Sequence, residues 1–169
     1  MSPAQQLEFA RRIALRRLDA KAQTRAELAQ YLARKEVPGD IATQLLDRFE
    51  EVGLLNDQWY AQAWVESRQR TRNLSATALR RELRAKGLDD EIVEAVTEEI
   101  TSEQDREAAL RLARQKAPAM AKLDRQVAFR RLAGALARRG HSPGVTMDVV
   151  KQALAEVYET EADDDSELG

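Results

Sequence analysis

The chain repeats itself. Leu28, Leu32, Val37, Ile41 and Leu45 recur as Leu79, Leu83, Leu88, Ile92 and Val96, at a constant offset of 51 residues (79 − 28). The same register carries Phe9 to Tyr60, Ile13 to Trp64, Arg17 to Arg68 and Thr24 to Ser75. A fixed period of this size marks a repeat architecture, in which each supersecondary unit buries its apolar face against its neighbours. A third, looser copy follows: Leu132 and Leu136 stand 53 residues (132 − 79) after Leu79 and Leu83, and Arg138-Arg139-Gly140 falls where Ala85-Lys86-Gly87 did. There the register breaks. His141 takes the place of Val37 and Leu88, and Val149 and Val150 arrive about four residues late, after Pro143-Gly144-Val145-Thr146, which reads as a lengthened turn.

Composition selects what the repeating unit is made of. Four Pro, seven Gly and few aromatics among 169 residues, with abundant Ala, Leu, Arg and Glu, favour helix almost everywhere. The expected fold is all-α: three tandem three-helix repeats forming an elongated, curved helical array, with a disordered acidic C-terminal tail. The repeats are expected over residues 1–54, 55–102 and 103–158, and the tail over 159–169. The absence of Cys excludes disulfides and thiolate metal sites, and no apolar run approaches the roughly 20 residues that span a bilayer. The opening Met1-Ser2-Pro3-Ala4 has no signal-peptide pattern. The expectation is a cytoplasmic monomer with no membrane contact.

Local signals divide each unit into helices. The first helix is expected from about Pro3 to about Lys21, with Leu7, Phe9, Ile13, Leu15 and Leu18 on its apolar side. Thr24-Arg25-Ala26-Glu27 is a capping box that starts the second helix, which ends before Val37-Pro38-Gly39. Asp40 helps to start the third, which buries Ile41, Leu45, Leu46 and Phe49. Gly53 suits the left-handed turn between units, and Asn56 or Asp57 the next N-cap. In the second unit Ser75 caps the middle helix, Gly87 ends it and Asp89 caps the third; Trp64 is expected in the core and Trp59 partly exposed. In the third, Met147-Asp148 is expected to open the last helix.

Charge is segregated. From Glu156 onward there are seven acids and no Lys or Arg, which leaves 27 basic against 22 acidic residues (29 less 7) in the body. Between Arg111 and Arg139 nine basic residues face Asp124 alone. Such division points to an acidic or polyanionic partner. Arg68 and Arg72, and Arg80 and Arg84, are one turn apart, and Arg131 and Arg138 two turns apart, so each pair shares a helix face. These six arginines are the candidate partner-binding surface, either as an ordinary solvated face or as a contact for an acidic protein groove or nucleic-acid phosphates. The acidic tail is expected to screen it in part.

Catalysis has little support: one His, no Cys, no phosphate-binding glycine loop and no metal-ligand spacing leave only solvated carboxylates. The chain is therefore read as a non-enzyme with no cofactor or metal; Asp163-Asp164-Asp165 lacks the glycine and distant glutamate of a calcium loop. His141 is read as a turn or core residue without a role. Short capped three-helix units also look like helix-turn-helix DNA-binding domains. The third helices open with Asp40-Ile41-Ala42, Asp89-Asp90-Glu91 and Met147-Asp148, which are poor readers of base edges. The alternative function is thus weak, non-specific binding of single- or double-stranded DNA through phosphates.

Two stretches carry a resemblance. Gly53-Leu54-Leu55-Asn56-Asp57-Gln58-Trp59-Tyr60-Ala61 and Leu79-Arg80-Arg81-Glu82-Leu83-Arg84-Ala85-Lys86-Gly87-Leu88 resemble the pattern of the RecX family, an Asp, two variable positions, Phe and Ala, then a Leu and Lys-Gly motif. Tyr60 here replaces the Phe, and His141 stands where the family has an aromatic after the third turn's Gly. The resemblance covers about residues 7 to 158 and leaves out the acidic tail and Pro143–Thr146. It implies a regulator that binds RecA filaments in their helical groove and inhibits recombinase, ATPase and coprotease activities. DNA repair, recombination and the SOS response are the processes it implies.

Overall fold

The chain's three-dimensional structure, a computed structural model, describes residues 1–167, with side chains described through Glu159. The described residues form nine α-helices and one 3-10 turn, with no strand: α1 (Pro3–Ala20), α2 (Arg25–Arg34), α3 (Gly39–Glu51), α4 (Asp57–Arg72), α5 (Ala76–Ala85), α6 (Asp90–Glu98), α7 (Ser102–Lys116), the 3-10 turn Ala117–Met120, α8 (Arg125–Arg138) and α9 (Pro143–Glu167). They come as three successive sets of three. No helix among the described residues is long and apolar enough to cross a membrane.

The caps explain where the helices begin. Ser2 and Gln5 form a capping box ahead of Pro3, which occupies the first turn of α1. Thr24 and Glu27 form a second: the Glu27 N–H donates to Thr24 Oγ1 at 3.1 Å and the Thr24 N–H to Glu27 Oε1 at 3.1 Å. Asn56 Oδ1 accepts the Trp59 N–H at 3.0 Å, Ser75 Oγ accepts the Ala78 N–H at 3.2 Å, and Thr101 and Gln104 close a further capping box. Gly53, Gly87 and Gly140 take φ of +81°, +78° and +84° after α3, α5 and α8, the left-handed turn that a side chain disfavours.

One sequence expectation fails. Pro143–Thr146 is the first turn of α9 and no lengthened loop, and the helix does not wait for Met147-Asp148. Proline at a first helical position gives up an N–H that has no intrahelical acceptor, and Ser142 supplies the cap, accepting the Val145 N–H on Oγ at 3.4 Å. The extra length lies elsewhere, in the 3-10 turn between α7 and α8. The acidic tail expected to be disordered, 159–169, lies outside the described residues in its side chains beyond Glu159 and wholly so from 168; the backbone of α9 runs on to Glu167 without a Pro or Gly to stop it.

By packing, the chain falls into two compact units, Met1–Trp64 with Arg81–Val96, and Val65–Arg80 with Thr97–Gly169. The units cut across the second repeat, sharing α4 and α5 between them. The first has a core of Ala10, Ala14, Leu28, Leu32, Leu45, Leu46, Phe49 and Leu55, with Leu7, Phe9, Ile13 and Leu18 packed at its margin. In the second, Ala109, Leu112, Ala113, Leu132, Leu136, Val149 and Val150 form the core, flanked by Phe129, Val157 and Tyr158. The repeat pairs Leu28/Leu32, Leu79/Leu83 and Leu132/Leu136 are all fully buried, so the 51-residue pattern is a core pattern. Ile92 is only half-buried, and Val93 beside it takes the buried place.

Candidate partner-binding surface

In the first unit, the start of α2 meets the turn after α5. Thr24 Oγ1, already capping α2, also donates its proton to the Lys86 carbonyl at 2.8 Å. The next residue's N–H, on Arg25, donates to Asp57 Oδ1 at 2.9 Å. Burial pushes the Asp57 carboxyl above its ordinary range, against the lowering effect of that N–H. The Arg25 guanidinium binds Glu50 at 2.9 Å and Asp47 at 2.8 Å, and the hydrogen bond to Glu50 raises its pKa further. Lys86 Nζ sits 3.4 Å from Glu27 Oε2 and 4.7 Å from the centroid of the Trp64 ring, whose Nε1–H donates to Glu82 at 2.8 Å. Trp64 is half-buried in this polar frame. Trp59 is 60% exposed.

The second unit builds the same contact from different residues. The Ser75 N–H donates to the Arg139 carbonyl at 3.0 Å, and the Ala76 N–H to Asp105 Oδ1 at 2.9 Å. Asn73 is buried in the left-handed region at φ +53°. Its Oδ1 accepts from Arg111 Nε at 3.1 Å, its carbonyl lies 2.8 Å from His141 Nε2, and Arg139 Nη1 donates to the carbonyl of Arg72. His141, only 6% exposed, thus fills the apolar position of Leu88 with a ring that also satisfies a backbone carbonyl. Burial holds its pKa below the ordinary value, with the Asn73 bond and Asp105 opposing and Arg139 adding to the fall.

The six candidate arginines divide by what already holds them. Arg72 on α4 and Arg131 and Arg138 on α8 are exposed, and Arg138 lies back along its own helix near Gly134. Arg68 is half-buried on α4. Arg80 Nε donates to Thr97 Oγ1 at 3.2 Å, and Arg84 is bound to Glu94 at 3.1 Å and Asp90 at 3.4 Å. Arg80 and Arg84 share a helix, yet each is turned to an internal partner. The structure brings Arg72 to the turn that follows Arg138, through Arg139. Arg111 and Arg139 join Arg72 there. For Arg139 the sequence signal was its place opposite Lys86; for Arg111 there was none. Glu156, the first of the tail acids, is spent on Arg114 in a two-pronged pair at 2.8 and 3.0 Å, which lowers its pKa; that arginine is outside the six.

The first unit also carries an open groove of about 650 Å³ between α1 and α3, floored by Leu7, Leu15, Leu45 and Phe49 with exposed Val52 and Leu54 at its edge. Its charged rim is mixed, with Glu8, Asp47 and Glu51 against Arg11 and Arg48.

Comparison with known proteins gives the family and the fold. Residues 10–49 match the model of the first RecX three-helix domain and residues 56–96 that of the second. The chain is 45% identical to the regulatory protein RecX of Streptomyces coelicolor over 99% of its own length and 87% of that protein's. It is 40% identical to that of Thermobifida fusca over 86% of this chain and 78% of the other. The crystal structure of RecX from Lactobacillus salivarius superimposes with a TM-score of 0.76, at 21% identity, over 89% of this chain and 97% of that one, a likeness of fold. With identity at this level running through both three-helix domains and beyond them, the chain belongs to the RecX family of regulatory proteins.

Proposed function

We propose that this chain binds filaments of the RecA recombinase in their helical groove and restrains the recombinase, ATPase and coprotease activities of the filament. Family membership carries the reading: relatives named regulatory proteins share 45% of the sequence across nearly the whole chain. The exposed Arg72, Arg131 and Arg138 supply the chemistry, since guanidinium groups that make no ion pair among the described residues are available to a partner groove if it is acidic. Arg68, Arg80 and Arg84 are the remaining candidate contacts; the last two first give up their partners within the chain. In this reading nucleotide and DNA are bound by the recombinase, and this protein has no active site of its own. It acts in the cytoplasm, in DNA repair and the SOS response.

The experiment adds stoichiometric protein to filaments preformed on single-stranded DNA and follows ATP hydrolysis, strand exchange and repressor cleavage. The expected result is loss of all three, relieved by Arg72→Glu/Arg131→Glu/Arg138→Glu. Filaments whose three activities are unaffected by the wild-type protein would overturn the reading. A second reading, phosphate binding without sequence preference, draws on the Arg72, Arg111 and Arg139 convergence. It requires DNA binding without RecA that falls steeply with added salt; salt-independent binding would point instead to base stacking on exposed Trp59.

A further inference from the structure

The first helix has two sides besides the one packed in the core. Glu8 and Asp19 line the open grooves on one of them, beside Leu15 and Leu54. The other carries Phe9, Arg12, Ile13, Arg16 and Arg17, at i, i+3, i+4, i+7 and i+8, which is one stripe of α1 about 12 Å long (17 − 9 residues at ~1.5 Å each). No carboxylate stands on that stripe. Beside it in the same unit, α2 adds Tyr31 and Lys35, one turn apart, with Arg34 in the same last turn. The face thus holds five exposed cations, Arg12, Arg16, Arg17, Arg34 and Lys35.

Elsewhere in the chain Arg25, Arg48, Arg84, Lys86, Arg106 and Arg114 each hold a carboxylate within 3.4 Å. The five on α1 and α2 form no ion pair among the described residues, and three of them rest on aromatic rings instead. Arg17 Cζ is 4.8 Å and Lys35 Nζ 5.8 Å from the Tyr31 centroid, and Arg12 Cζ is 5.9 Å from that of Phe9. Of the nearby acids, Glu27 is held by Lys86, and Glu36 lies beyond the last turn of α2. A ring attracts a cation without neutralising it and fixes its side chain, so less freedom is lost when an anion arrives. Phe9, Ile13 and Tyr31 are half-buried and leave apolar area beside the charges.

We propose that this face of α1 and α2 docks an acidic segment of a protein partner, one that carries apolar side chains among its carboxylates. Guanidinium groups pair with carboxylates through two parallel hydrogen bonds, and the half-buried rings give apolar side chains something to cover. A nucleic acid would meet the same charge, but Tyr31 is half-buried under two cations and offers no face for base stacking. A phosphate backbone would also leave Phe9 and Ile13 uncovered. None of Arg68, Arg72, Arg80, Arg84, Arg131 and Arg138 lies on α1 or α2, so this is a second surface, and it does not depend on what those arginines bind.

Fluorescence anisotropy on the full chain tests this with a labelled peptide of Glu and Asp that carries Leu at every fourth position. Wild type is expected to bind it, and Arg12→Glu/Arg16→Glu/Lys35→Glu to bind it more weakly by about tenfold or more. Arg72→Glu/Arg131→Glu/Arg138→Glu is expected to bind it as wild type does. The same peptide with Ser in place of Leu should bind wild type more weakly than the Leu peptide. Should the first variant lose wild-type helicity, Arg12→Gln/Arg16→Gln/Lys35→Gln takes its place, with loss in the same direction. A wild type that does not bind the peptide overturns the proposal, as does equal binding by wild type and the α1–α2 variant. Equal loss in both triple variants overturns it too, since general charge attraction would then suffice. Equal binding of the Ser and Leu peptides overturns the apolar part of the assignment. If single-stranded DNA loses its binding in the α1–α2 variant while the Leu peptide keeps it, the face belongs to nucleic acid and the proposal fails.

Discussion

Gly87→Ala isolates what the repeat contact demands of its turn. Two costs fall on the new methyl. The left-handed φ of +78° costs an L-residue about 1–2 kcal/mol relative to glycine. The second is steric, since the Cβ lands on the Ala26 side chain, and forcing a methyl into a filled space costs about 1–3 kcal/mol. The expected total is about 2–5 kcal/mol. Gly53→Ala is the control: its φ of +81° is nearly the same, but nothing lies within 4 Å of its Cβ, so only the first cost of about 1–2 kcal/mol applies. Both Trp residues, Trp59 and Trp64, lie in the first unit, and Lys86 next to Gly87 rests on the Trp64 ring, so tryptophan fluorescence during urea unfolding reports on this unit. With a slope of about 2 kcal/mol per molar urea, the Gly87→Ala midpoint should fall below that of Gly53→Ala by about 1 M. Ala26→Gly should recover part of that gap in the Gly87→Ala background and none of it in the Gly53→Ala background. Equal midpoints for the two alanine variants would refute the reasoning, because the turn's conformation would then account for the whole effect.

Thr24→Val keeps the shape of the side chain while removing both the cap on the Glu27 N–H and the bond to the Lys86 carbonyl; a loss of about 1–3 kcal/mol is expected in the same fluorescence assay. For His141 the sign follows from burial. Its folded pKa is below the ordinary 6.5, so the unfolded chain binds the extra proton and stability is lost as pH falls below about 6.5. Thermal midpoints between pH 7.5 and 5.5 should therefore decline on acidification, and His141→Leu, the residue type of Leu88, should flatten that decline; an unchanged slope in the variant would assign it to other groups. Arg114→Ala should leave the thermal midpoint unmoved, because its pair with Glu156 is exposed and a surface ion pair loses most of its attraction to solvent and salt.

The repeat, the helix order and the cores were legible in the residues alone because each rests on short-range rules. The capping boxes at Thr24, the left-handed glycines at 53, 87 and 140, and the leucine pairs at 28/32, 79/83 and 132/136 need only neighbours within a turn or two to declare themselves. Proline 143 was misread because proline marks both loops and first helical turns, and only the Ser142 cap distinguishes them. The candidate surface was legible as charge but not as availability. Six arginines on helix faces look alike in sequence, yet Arg84 is bound to Asp90 and Glu94 and Arg80 to Thr97, while Arg72, Arg131 and Arg138 stand exposed. Which partner a guanidinium finds depends on which helices pack side by side. The cluster of Asn73, Arg111, Arg139 and His141 joins positions 38 to 68 residues apart, and no periodicity announces a hydrogen bond across that distance. Local chemistry decides where a helix starts, stops and turns its apolar side; packing brings distant polar groups into one small volume, where each must find a partner because burial removes the water that would otherwise serve.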